Sequence, residues 1–131
     1  MMSKQLESYQ ENAIKTASGP QLTLMLYNGC IRFIKQGMKE LANKNYEEKN
    51  RNLQRAQDII RELMITLDPK YEISKNMMAL YDYIYHLLQQ GNIKNDSKQI
   101  EEALGLVTEF RDTWKEAMKI EAKKYVQGAK V

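Results

Sequence analysis

Reactive chemistry is scarce in this sequence. Its single cysteine, Cys30, excludes an internal disulfide, and its single histidine, His86, excludes the two Glu-x-x-His pairs from which four-helix proteins build di-iron centres. It contains no glycine-rich phosphate loop, Cys-x-x-Cys pair or nucleophile elbow. Neither an enzyme nor a cofactor or metal protein is expected. No apolar run approaches the roughly 20 residues that span a bilayer, and Met1 to Asn12 lacks the apolar stretch of a signal peptide. The expectation is a cytosolic chain without membrane insertion. The net charge of +3 is spread without a dense basic block, which argues against nucleic acid as a partner. Sequence repeats and coiled-coil heptads are also absent.

What remains is the composition of an ordinary globular domain, 43% apolar and 28% charged over 131 residues, read as one unit across 1–131. Only Pro20 and Pro69 occur as prolines, and turn-forming residues gather at a few places separated by helix-sized intervals. Ser18-Gly19-Pro20-Gln21 has an N-cap serine, a first-turn proline and a glutamine at the third helical position, so a first helix starts there. Within it, Asn28-Gly29 is the strongest short hairpin signal a sequence carries. Yet Leu22, Leu26, Tyr27, Cys30, Phe33, Ile34, Met38 and Leu41 share one arc at 100° per residue, and the helical period runs straight through the pair. The helix reading prevails, with Asn28 and Gly29 turned outward.

Asn45 and Glu48 cap a second helix carrying Leu53, Ala56, Ile60, Leu63, Met64 and Leu67, which Asp68-Pro69 stops. Ser74 is the expected N-cap of a third, striped by Met77, Leu80, Tyr81, Ile84, Leu87 and Leu88 and closed by Gly91 as C-cap. Asp96 and Gln99 open a fourth, with Ile100, Ala103, Leu104, Val107, Phe110, Trp114, Ala117 and Met118 on one face. Four amphipathic helices joined by short loops predict an all-α, antiparallel up-and-down four-helix bundle over 18–124. Residues 1–17 form a short N-terminal cap or mobile segment, and 125–131 a tail. Cys30 is then a core thiol, and His86 projects away from its stripe.

The helices carry more apolar residues than a small bundle needs. Met78 and Tyr85 flank the third stripe on one side and Tyr83 on the other, while Ile65 lies nearly opposite the second stripe with Ile59 at its margin. Eight methionines suit a surface that accepts another apolar helix. The surplus predicts cover by the N-terminal segment, a second subunit or a partner peptide.

Tyr9-x-x-Asn12, Leu22 to Ile31 with its Leu-Tyr-x-Gly, Asn52 to Leu63, Leu80-Tyr-Asp-Tyr83 and Phe110-Arg-x-x-Trp114-x-x-Ala117 resemble, in order and spacing, the FliS family of flagellar secretion chaperones. Asn28 stands where that family often has aspartate. The resemblance implies a cytoplasmic bundle that binds the C-terminal segment of newly made flagellin, prevents its premature polymerisation and delivers it to a component of the flagellar type III export apparatus. It also implies that the N-terminal segment covers part of the same surface. The residues assigned to the flagellin groove are Ile59, Ile60, Leu63, Ile65, Leu67, Met78, Leu80, Tyr81, Tyr83 and Tyr85. Tyr9, Asn12 and Ile14 form the competing cap, and Gly29 is the point where another segment lies close to the backbone. The alternative is a self-associating bundle, a homodimer when free, without a heterologous client.

Overall fold

All four apolar stripes become helices. The structure, a computed structural model, describes the backbone of residues 19–129 and the side chains of residues 19–123. Its elements are α1 (Gly19–Ala42), α2 (Tyr46–Thr66), α3 (Ile73–Lys94) and α4 (Ser97–Ala129). Each of α1 and α3 packs on both α2 and α4, which closes a four-membered ring. The short connections at 43–45, 67–72 and 95–96 leave consecutive helices antiparallel. The last link of the ring is visible in one bond, Trp114 Nε1 donating to the Pro20 carbonyl at 2.9 Å, which sets the far part of α4 beside the start of α1. Helix α4 continues through Ala129, into the residues expected as a tail.

Local sequence accounts for most boundaries. Asn45 accepts the Glu48 amide at 3.3 Å, and Asp96 accepts the amides of Lys98 and Gln99 at 3.0 and 3.4 Å, so both N-caps stand as expected. Two expectations for α3 are corrected. Ser74 lies inside the helix and donates through Oγ to the Asp68 carbonyl at 2.6 Å, tying the loop to the first turn. Gly91 is not the C-cap: α3 runs on to Lys94, and Asn95 ends it in the left-handed region at φ 54°. Asparagine tolerates that conformation because its amide bonds locally.

The core is built around a polar contact. Tyr27 of α1 and Tyr81 of α3 join their hydroxyls at 2.6 Å across the diagonal of the bundle. The Phe110 ring stacks on Tyr27 at 6.1 Å and tilts against Tyr81 at 5.3 Å, and Trp114 meets Tyr27 edge-on at 6.5 Å. Ile34, Leu53, Ile60, Leu63, Ile84, Leu88 and Ile100 complete the buried cluster. Cys30 lies in it fully buried, with Sγ 3.7 Å from the Ala56 carbonyl, and burial pushes the thiol up to about 12, out of the range of a nucleophile. One cation is also inside. The buried Lys49 donates through Nζ to the Asn92 carbonyl at 2.8 Å, satisfying one of the unpaired carbonyls in the last turn of α3.

Glycines set how closely the helices approach. A Cβ on Gly37 would stand 2.8 Å from Leu53 Cδ2, and one on Gly91 would stand 2.7 Å from Ile100 Cγ1 and 3.2 Å from the Asp96 carbonyl. Gly29 is different, since a Cβ there would meet only Ile59 Cδ1 at 3.4 Å. Gly29 is buried against α2 and does not face outward, because the α1 arc that packs is wider than its apolar stripe.

Gly91→Ala is therefore expected to lower stability by about 1–3 kcal/mol through overpacking. Gly29→Ala is expected to be neutral or to raise it by about 0.5–1 kcal/mol through helix propensity. Thermal melts followed at 222 nm distinguish the two, and equal losses would contradict the packing difference. A second expectation follows from the tyrosine pair. Burial raises the pKa of both hydroxyls, and at Tyr81 the bond to Tyr27 adds to the effect. Both stay protonated in the folded state while the unfolded chain ionises near pH 10, so their contribution is complete below about pH 10 and is lost above it. Lys49, whose pKa burial lowers, acts in the opposite direction as it discharges. Urea midpoints should hold from pH 7 to 9 and fall above about pH 10, with a shallower fall in Tyr81→Phe.

Candidate functional site

The α2/α3 face is divided into two parts of different chemistry. Its upper part is a cleft of about 400 Å³ walled by amides, with Asn50, Gln54 and Gln57 on α2 and Gln89 and Asn92 on α3. Asn92 Nδ2 donates to Asn50 Oδ1 at 2.7 Å, while the buried Asn92 Oδ1 has no partner. Arg61 closes the lower edge: Nη2 donates to the Tyr85 hydroxyl at 2.6 Å, and the guanidinium lies 5.2 Å from the centre of the Tyr85 ring.

Below Arg61 the surface becomes apolar. Ile65 is 75% exposed, Tyr71 65%, Ile73 63% and Met78 41%, and a cavity of about 330 Å³ lined by Leu67, Pro69, Ser74, Lys75 and Met78 opens at this end of the two helices. Local chemistry forces this concentration. Asp68-Pro69 ends α2, and the connection to α3 is too short to bury Tyr71 and Ile73 beneath it. Tyr71 and Ile73 are absent from the groove set read from sequence; two large apolar residues beside a proline loop are the signal that could have found them.

A second apolar channel runs between α1 and α2, about 310 Å³, lined chiefly by Leu22, Met25, Leu26, Phe33 and Ile59 with Gly29 in its floor. The guanidinium groups of Arg32 and Arg55 lie 5.4 and 5.6 Å from the Phe33 ring centre and border it. A third surface follows the α3/α4 side, where Leu80 and Tyr83 are 41% and 47% exposed and the Tyr83 hydroxyl donates to Glu102 at 2.9 Å.

The expected groove residues thus separate. Ile65, Met78, Leu80 and Tyr83 are exposed, and Ile59, Leu67 and Tyr85 are half-buried at groove margins. Ile60, Leu63 and Tyr81 are core residues at 0, 0 and 2% exposure, a correction that follows from their place at the centre of their stripes, where each faces the opposite helices. Gly29 stands in the α1/α2 channel, with Ile59 as its neighbour. Tyr9, Asn12 and Ile14 lie outside the described residues.

Little among the described residues suits catalysis. His86 is exposed, with Nδ1 2.9 Å from the Asp82 carbonyl. No group of three or more His, Cys, Asp or Glu among the described residues could hold a metal, and no described helix is long and apolar enough to cross a membrane. The surface offers apolar channels between helices, a form suited to taking in another helix.

Comparison with known proteins adds an independent finding. Residues 2–121 match the family model described as Flagellar protein FliS. The chain is 49% identical over 116 residues to the Flagellar secretion chaperone FliS of Bacillus subtilis (strain 168), covering 88% of this chain and 87% of that one. It is 33% identical over 111 residues to the protein of the same name from Escherichia coli (strain K12), covering 82% of each. Among solved structures it is similar to one titled "Crystal structure of flagellar chaperone from bacteria", with a TM-score of 0.72 at 19% identity over 88% of this chain and 98% of the other, a likeness of fold.

Core and surface roles separate within one stretch of α2. Ile65→Asp should leave the helical signal intact and shift stability by no more than about 0.5 kcal/mol. Leu63→Asp, which buries an unpaired carboxylate, should unfold the chain or cost more than about 4 kcal/mol. Circular dichroism with urea titration measures both.

Proposed function

Because the chain belongs to the FliS family of flagellar secretion chaperones, we propose that it binds the C-terminal segment of newly made flagellin, keeps it from polymerising and hands it to the flagellar export apparatus. The observation that carries this reading is the apolar surface left open in the α1/α2 channel and, separately, at the α2–α3 corner, where Ile65, Tyr71 and Ile73 are each at least 63% exposed. A small bundle gains nothing in its own stability from such exposure, and a concentration of exposed large apolar residues is the usual mark of a partner.

The mechanism needs geometry and no active site. A disordered amphipathic client loses conformational entropy when it folds onto the bundle, and only a long apolar contact offsets that loss. Channels on successive faces of a closed ring allow one segment to cover several of them in turn. Met25 and Met78 at their edges adapt to different client side chains. The exposed groove members Ile65, Met78, Leu80 and Tyr83, together with Tyr71 and Ile73, are the proposed contacts. Ile59, Leu67 and Tyr85 line the margins, and Gly29 lets the client approach α1. Residues 1–17, with Tyr9, Asn12 and Ile14, are proposed to cover the same surface until the client displaces them.

Immobilised protein should retain flagellin and release it when the client lacks its C-terminal segment. Ile65→Asp should weaken retention at least severalfold while the fold is kept, and removal of residues 1–17 should strengthen it. Equal retention of truncated flagellin would overturn the client assignment, and weaker binding after removal of 1–17 would overturn the competing cap.

A further inference from the structure

Few exposed cations form ion pairs among the described residues, and most, such as Lys70, Lys75 and Lys115, form none. On α2, Arg51 contacts Glu48 at 2.8 Å and Glu47 at 3.7 Å, and on α4 Lys119 contacts Glu116 at 3.9 Å. The outer face of α1 has no such pairing. Arg32, Lys35 and Lys39 stand there at i, i+3 and i+7, all exposed, and none has an ion-pair partner among the described residues. The one carboxylate of α1, Glu40, accepts instead from the Gln36 amide at 3.1 Å. Opposite this stripe, Arg111 of α4 is held by Asp112 at 3.1 Å and by Asn28 Oδ1 at 3.5 Å.

These four cations line a cleft of about 430 Å³ between α1 and α4, with Ile31, only 5% exposed, in its floor and no carboxylate among the described residues of its lining. A basic stripe on a helix is usually a solvated face. Two features separate this one from that case: it gathers cations from two helices around the buried Ile31, and none of its α1 cations has a carboxylate at i±4.

We propose that this cleft docks an acidic amphipathic helix from a partner protein. Successive cations on α1 are offset by about 4.5 and 6 Å along the axis, which brackets the 5.4 Å rise of one helical turn. A docked helix with carboxylates one turn apart therefore meets Arg32, Lys35 and Lys39 in register, with a small apolar side chain on Ile31. A nucleic acid fits less well, because Glu109, Asp112 and Glu116 on the outer side of α4 repel a polyanion that extends past the cleft. The cleft adjoins the α1/α2 channel, sharing Asn28 and Arg32 with it, and the inference does not rest on the flagellin reading.

The test uses the full chain and two fluorescein-labelled, alanine-rich helical peptides of about 20 residues with the same composition. One places glutamates one turn apart on a single face beside a leucine, and the other distributes them around the helix. The aligned peptide should bind more tightly, its affinity should fall with added salt, and Lys35→Glu combined with Lys39→Glu should weaken it tenfold or more. Circular dichroism of the double variant should match the parent, and its retention of flagellin should be unchanged. Equal binding of both peptides, or undiminished binding by a folded double variant, would overturn the proposal. So would preferential binding of a single-stranded oligonucleotide or of phosphatidylserine vesicles, displacement of the peptide by raised concentrations of the chain itself, or loss of flagellin retention in the folded double variant.

Discussion

The hydroxyl contact between Tyr27 and Tyr81 constrains the rest of the molecule. Helices α1 and α3 lie diagonally across the ring, where apolar packing alone leaves their relative height loosely set. Two phenols that must find each other in a region without water can do so at one height only, since a slip of one turn leaves both oxygens unpaired at about 1–3 kcal/mol each. With α1 and α3 fixed, Phe110 and Trp114 bring α4 to the same level. Trp114 then reaches the Pro20 carbonyl and locates the beginning of α1.

This node also explains why the segments that resemble the FliS family are the ones they are. Leu26-Tyr27, Leu80-Tyr81 and Phe110 to Trp114 are far apart in the chain and converge on one cluster of rings. Their primary work is to hold the bundle. Their effect on the outer surface is indirect: fixing Tyr81 inward turns Leu80 and Tyr83 onto the α4 flank, where both stand 41–47% exposed, and leaves Met78 on the α2 flank. A motif that reads as a binding signature is in large part a core signature that displays its neighbours.

Much of the fold was legible from period alone. The helical sorting of Leu22 to Leu41 through Asn28-Gly29 decided helix against hairpin, and Asn45 and Asp96 marked two starts by the chemistry of their side chains. Glycine was less legible, because a cap glycine and a packing glycine are the same letter. Gly91 is needed where Ile100 crosses, and Asn95 supplies the left-handed turn. The candidate surface was legible only in part. A stripe shows which side of a helix is apolar but not how wide its neighbours are, so Ile60, Leu63 and Tyr81 could not be told from Ile65, Leu80 and Tyr83 until the ring was closed. Tyr71 escaped notice because period has no meaning in a loop, and Ile73 because it is the first residue of α3, ahead of the stripe that begins at Met77.

One small bundle can keep both kinds of surface because its furrows lie outside its core. A closed ring of four helices has four outer furrows, and the core uses only the inner third to half of each helix. The furrow chemistry is therefore free to differ: apolar between α1 and α2 and at the α2–α3 corner, amide-lined above Arg61, and cationic between α1 and α4. Apolar furrows favour slow release, since affinity grows with buried area, whereas a cationic furrow favours fast encounter and is weakened by salt. A protein that holds one segment while meeting another partner needs both behaviours on separate faces. The cationic furrow and the α1/α2 channel share Asn28 and Arg32, whereas Lys35 and Lys39 line the cationic furrow alone, so charge at those two positions can change without altering the apolar lining.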